Sequence, residues 1–215
     1  TREALDPVRY ISNNSSGKQG MAIAEASLAA GANVTLIAGP GVAPSKDAIK
    51  RIDVCSAEEM LEEVMREMPK TDLFISVAAV ADYKAKTISA NKIKKRDLAK
   101  TSPRIELEET PDIIRSVASM KERPLVIGFA AETNSAVQNA KIKLKDKNLD
   151  AIVVNDVSRK DIGFESNENE VIFVSGTKER AIAKTDKVSL SRELIDIIYS
   201  EFRVNLEKRH SARLG

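Results

Sequence analysis

Short, continuously apolar runs alternate along this chain with segments of helical period, and few folds accommodate that order. Leu73 to Val77, Leu125 to Phe129 and Ala151 to Val154 carry no wet face, the pattern of strands buried on both sides in a parallel sheet. Asn33 to Ala38 reads the same way, and Ile49 to Val54 is a further strand. Between them lie Gly20 to Ala30, an alanine-rich helix stopped by Gly31, and a helix with Leu61, Val64, Met65 and Met68 on one face. The second opens on Ser56-Ala57-Glu58-Glu59, a capping-box pattern. Such alternation predicts an α/β fold, a Rossmann-like, doubly wound, mostly parallel sheet.

The second half continues the pattern and then changes it. Ile105 to Leu107 reads as a short strand. Thr110-Pro111-Asp112 supplies a cap, a first-turn proline and an acidic residue for a helix to about Met120. A helix over 135–147 turns Val137, Ala140 and Leu144 inward. Val171 to Val174 and Ala181 to Lys184 flank Ser175-Gly176-Thr177-Lys178, which predicts a C-terminal antiparallel hairpin. Ser189 to about Phe202 closes as a helix burying Leu190, Leu194, Ile195, Ile197 and Ile198. One domain is expected over 1–202, with 203–215 a basic tail that frays.

Composition narrows the class of function. The 34 basic and 32 acidic residues leave a net charge of +2, so no global field draws the chain to nucleic acid or anionic lipid. No apolar run approaches a membrane span. Cys55 is the only cysteine and excludes an internal disulfide, so a reducing cytoplasm is the expected setting. Any anion site must therefore be local.

Two stretches suit such a site. Val8 to Gly20 reads as a short strand, a turn of small polar residues and a helix start, with Ser15, Ser16 and Gly17 forming an anion pocket at the positive helix end. It has neither the G-x-G-x-x-G spacing of a dinucleotide fingerprint nor that of a Walker loop. The second runs from Ala78 to Pro103 and carries Lys84, Lys86, Lys92, Lys94, Lys95, Arg96 and Lys100. It leaves the carboxyl end of a parallel strand, where open α/β sheets bind ligands.

Read together, Arg9-Tyr10-Ile11-Ser12-Asn13-Asn14-Ser15-Ser16-Gly17, Ala78-Ala79-Val80-Ala81-Asp82-Tyr83, Lys92-Ile93-Lys94-Lys95 and Gly128-Phe129-Ala130-Ala131-Glu132-Thr133 resemble bacterial phosphopantothenoylcysteine synthetase. Thr110-Pro111-Asp112-Ile113, Asn148-Leu149-Asp150 and Asn155-Asp156-Val157 extend the resemblance over nearly the whole chain. It implies a phosphopantothenate-cysteine ligase of coenzyme A biosynthesis. In that family 4′-phosphopantothenate attacks the α-phosphorus of CTP, and cysteine's amine then displaces CMP from the acyl-cytidylate. The resemblance also implies Mg²⁺ or Mn²⁺, a homodimer, and fusion to an N-terminal flavin-dependent decarboxylase; a start at Thr1 agrees with an excised C-terminal half.

The same resemblance distributes roles. Asn13 matches the asparagine that handles the acyl intermediate, and Lys92 the catalytic loop lysine, a duty that Lys94 or Lys95 can share. Ser76, Val77 and Ala78 match the strand end beside the nucleotide, and Asp82 its carboxylate, a ligand for the metal directly or through water. Pro111, Asp112, Ile113, Ile114 and Phe129 match nucleotide-contacting segments. Lys143 and Lys147 match helix lysines that reach the nucleotide; they share a helix face, as do Lys141 and Lys145, and periodicity does not choose between the pairs. His210, the only histidine, falls in the tail and argues against histidine general-base catalysis. Two rivals stand beside this reading: an NAD(P)-dependent dehydrogenase on the same fold, which the missing glycine fingerprint disfavours, and a nucleotide-binding module without chemistry.

Overall fold

A computed structural model describes residues 1–94, 104–132, 135–156 and 166–214. Three apolar runs form the parallel centre of a five-stranded sheet: β5 (Leu73–Ser76), β8 (Leu125–Glu132) and β9 (Ala151–Asp156). β10 (Glu168–Ser175) and β11 (Glu179–Asp186) add the predicted antiparallel hairpin beyond β9. β3 (Thr35–Ala38) and β4 (Lys50–Asp53) pair in parallel with each other.

Helices cover both faces. α2 (Ala57–Glu67), α3 (Ile113–Ala118) and α4 (Ala136–Asp146) share one apolar cluster with Val126, Ala130, Ile152 and Val154. α1 (Lys18–Ala29) and α5 (Lys187–Leu214) pack the opposite cluster around Ile127, Val153 and Phe173. Alternate residues of β8 thus point to opposite cores, as pleating requires. Gly128 falls where α3 crosses closely: a Cβ there would lie 3.0 Å from Ile114 Cδ1 and 3.1 Å from Leu149 Cδ1. All five predicted apolar positions of the last helix are buried.

Several elements depart from expectation. The segment before Asn13 is β2 (Tyr10–Ser12), which pairs antiparallel with β1 (Arg2–Ala4) rather than entering the parallel sheet. In the stretch after β5, β6 (Tyr83–Ala85) pairs with β7 (Leu107–Glu109), which starts two residues later than the strand expected at Ile105. Thr110 does not cap α3: its hydroxyl donates to the Ala81 carbonyl, while Asp112 accepts from the Arg115 N–H and starts a helix ending at Ala118. The expected frayed tail is helical to Leu214. No glycine or proline interrupts 203–214, and Arg203 pairs with Glu207 one turn on.

Replacing Gly128 by Ala forces Ile114 or Leu149 to shift, so the variant is expected to be about 1–3 kcal/mol less stable. Urea unfolding measures it; an unchanged midpoint would mean that this crossing is not tightly packed.

Candidate active site

The carboxyl ends of β5 and β8 face a set of loops that hydrogen bonds join in sequence. Asn13 Nδ2 donates to the Ala79 carbonyl at 2.6 Å, and its Oδ1 accepts from the Ser15 N–H at 3.3 Å. One amide N–H of this exposed side chain remains for a ligand. Thr1 braces the junction, accepting from the Ala81 N–H at its hydroxyl and from the Ser12 hydroxyl at its carbonyl. Next along, the Asp82 carbonyl accepts from the Thr110 N–H at 3.0 Å, bringing 110–112 beside 81–82. Asp112 then pairs with Lys147 at 2.9 Å.

Gly17 closes the small-residue turn with φ +71°, and a Cβ there would meet Val42 Cγ2 at 2.6 Å, so only glycine fits beneath that loop. Ser15, Ser16 and Gly17 are half-buried at the start of α1.

The Lys92 segment attaches to the other end of the same hairpin. Asp6 is buried, and its oxygens accept from the Val8 and Arg9 N–H groups, each at 2.8 Å, from the Arg9 guanidinium, and from the Ile93 N–H at 3.2 Å. Arg9 Nη2 also donates to the Ile93 carbonyl at 2.6 Å. Both main-chain groups of the residue after Lys92 are therefore held, and Ser89 N–H adds a bond to the Leu5 carbonyl. Burial would raise the Asp6 carboxyl, but the Val8, Arg9 and Ile93 donors outweigh it and hold the group well below the usual carboxylate range. Lys92 is exposed and, among the described residues, carries no ion pair. Lys84 differs: its ammonium is paired with both Glu58 and Glu108. Lys94 is exposed; Lys95, Arg96, Lys100 and Pro103 lie outside the described residues, as do Thr133 and Val157.

On α4 the structure selects a face. Lys143 reaches Glu132 at 2.5 Å and Lys147 reaches Asp112, both at the carboxyl side of the sheet, whereas Lys141 pairs with Glu179 of the hairpin. The Glu132 carboxyl is lowered chiefly by Lys143; for Asp112, burial opposes the lowering that Lys147 and the Arg115 N–H bring about. Phe129 is not brought to these lysines. It packs with Ile127 and Val77 on the α1–α5 face, across the end of the strand. Ser76 and Val77 are half-buried at the end of β5, Ala78 is exposed, and Pro111 is half-buried before α3. Ile113 and Ile114 turn their side chains into the core, which leaves only their main chain to a ligand. His210 is exposed near the end of α5.

Sequence reasoning gave no role to Asp6, Arg9, Glu132 or Asn139. The signal for the first pair was Asp6-Pro7 followed by Arg9, a turn in which the acid side chain caps local N–H groups. For the second it was Asn139 and Lys143 at i, i+4.

The model of the DNA/pantothenate metabolism flavoprotein C-terminal domain matches residues 1–202. The chain belongs to this family. Among its members, the coenzyme A biosynthesis bifunctional protein CoaBC of Vibrio vulnificus (strain YJ016) is 46% identical over 196 residues, 91% of this chain and 49% of that protein. CoaBC of Escherichia coli (strain K12) is 44% identical over 203 residues, 94% and 50% of the respective chains. The chain thus spans about half the length of the curated relatives it matches. A crystal structure of the CoaBC C-terminal domain superposes with TM-score 0.78 at 35% identity, covering 94% of this chain and 91% of that one. A Cab2 mutant in complex with phosphopantothenate-cysteine shares the fold, with TM-score 0.79 at 17% identity over 98% of this chain and 86% of that one. No helix among the described residues is long and apolar enough to cross a membrane.

Because the folded Asp6 carboxyl is depressed, the stability it contributes is present above the unfolded pKa of about 4 and is lost as pH falls through the folded value. Asp6→Asn is therefore expected to melt below the wild type at pH 7, with the gap narrowing below about pH 4. Thermal melts from pH 7 downward measure this; a gap independent of pH would assign Asp6 a packing role alone.

Proposed function

We propose that this domain ligates 4′-phosphopantothenate to cysteine, using CTP and passing through an acyl-cytidylate, in coenzyme A biosynthesis. The observation that carries the reading is that one hairpin bears Asn13 at one end and clamps the neighbour of Lys92 at the other, beside the carboxyl ends of β5 and β8. Membership of the family and the CoaBC relatives support it.

The chemistry brings two anions together. Lys92, unpaired among the described residues, is placed to offset charge on the triphosphate as the substrate carboxylate forms its bond to the α-phosphorus and pyrophosphate leaves. Lys143 and Lys147 hold the nucleotide from α4. The Asn13 amide, polarised by its bonds to Ala79 and Ser15, donates to the acyl carbonyl when the cysteine amine attacks and CMP departs. A carboxylate nucleophile needs no histidine base.

Among the described residues no three His, Cys, Asp or Glu side chains converge. Asp82, an exposed carboxylate, instead fits Mg²⁺ or Mn²⁺ carried in with the nucleotide, since such ions take one or two carboxylates plus phosphate oxygens. When bound, that ion neutralises phosphate charge, and Asp82 is the residue that would hold it.

The reading includes a cytoplasmic homodimer and, in the full-length protein, a preceding flavin-dependent decarboxylase. The late hairpin, β10–β11, is the candidate for the dimer interface.

Pyrophosphate release is expected only with CTP, 4′-phosphopantothenate and Mg²⁺ together, with amide product only when cysteine is added. Binding of NADH and not CTP would favour the dehydrogenase, and CTP binding without pyrophosphate release the non-catalytic module. In Asn13→Ala, CTP affinity should stay near wild type while acyl-cytidylate accumulates and amide formation slows by about 10²-fold or more. Wild-type rates in quenched-flow analysis would remove Asn13 from the mechanism.

A further inference from the structure

Glu132 is an acidic residue at a site built for anions. It ends β8 with its side chain 12% exposed, and both oxygens are engaged: Oε1 by Lys143 Nζ at 2.5 Å, Oε2 by Asn139 Nδ2 at 2.9 Å. Asn139 and Lys143 lie one turn apart on α4, so the carboxylate is gripped from one helix face. Lys143 itself is 47% exposed, and its ammonium has three N–H groups, of which Glu132 uses one. The next turn repeats the device: Lys147 meets Asp112, whose other oxygen is fixed by the Arg115 N–H.

A tie between strand and helix needs no charge, and a bare carboxylate here would repel a triphosphate. A carboxylate that acts through a lysine avoids that conflict, because the ammonium stands between it and the phosphates. We propose that Glu132 is the positioning residue for Lys143, holding its ammonium in place with two N–H groups turned outward to the phosphates of the bound nucleotide. Without it, the nucleotide itself must order a long side chain with four rotatable bonds. The inference rests on the ligase reading and deepens it.

Steady-state pyrophosphate release and calorimetric CTP titration test it on wild type, Glu132→Gln, Lys143→Met and the double variant. Glu132→Gln is expected to raise the KM and Kd for CTP about three- to tenfold, the scale of freezing one lysine side chain. The kcat and the KM for cysteine should stay within about twofold. Added to Lys143→Met, the same substitution should change nothing further, which a merely structural role does not predict. Asn139→Ala, which leaves the strand untouched, should move the CTP KM in the same direction by a smaller factor. An unmoved or lowered CTP KM in Glu132→Gln, or an equal effect in both backgrounds, overturns the inference alone. A wild type that neither binds nor turns over CTP overturns the ligase reading and this inference with it.

Discussion

A buried carboxylate with no local cation would be a liability, and Asp6 escapes that by becoming the hub of the site. Its oxygens collect main-chain donors from its own turn, the Arg9 guanidinium and the N–H of Ile93, 87 residues away in sequence. Arg9 completes the grip on the Ile93 carbonyl. Few arrangements fix both polar groups of one distant residue, and this one places Lys92 on the hairpin that carries Asn13. Only the Asp6 side of the pair is buried, so losing Arg9 would leave the carboxylate to its main-chain donors, whereas Arg9 itself stays in contact with water.

The cations of the site fall into two groups. Lys143 and Lys147 stand beside carboxylates that hold them in place, a preorganisation suited to binding. Lys92 stands without one among the described residues, which on the proposed reading suits charge that develops on the phosphates. The sheet supplies the frame for both. β8 and β9 run on to Glu132 and Asp156 past the end of β5 opposite Gly128, and α3 and α4 lie on one face with α1 on the other, so a ligand in the crevice meets all three.

The parallel centre was legible because burial on both faces demands unbroken apolar runs, and Leu73, Leu125 and Ala151 each open one. The late hairpin and the buried face of α5 were legible for similar reasons. The small hairpins were not: Arg2–Ala4 and Tyr83–Ala85 are three-residue strands without apolar alternation, formed by partners that sequence does not announce. The end of α5 was misread because its apolar period stops near Phe202, while helix propensity and the Arg203–Glu207 pair carry it on. The candidate site positions come from the resemblance, and what holds them is not legible in the sequence. Asp6 reads as a turn residue until Ile93 arrives, and the phase of α4 needed Glu132 and Glu179 to separate Lys143 from Lys141.

The central claim is that Asn13 and Lys92 serve one pocket. A crystal structure with 4′-phosphopantothenate and a non-hydrolysable CTP analogue tests it most directly. The account predicts the reacting carboxylate and the α-phosphate side by side, the Lys92 ammonium on the phosphates and the Asn13 amide within hydrogen-bonding distance of the carboxylate. A nucleotide bound out of reach of Lys92, or a substrate carboxylate far from Asn13, would contradict it.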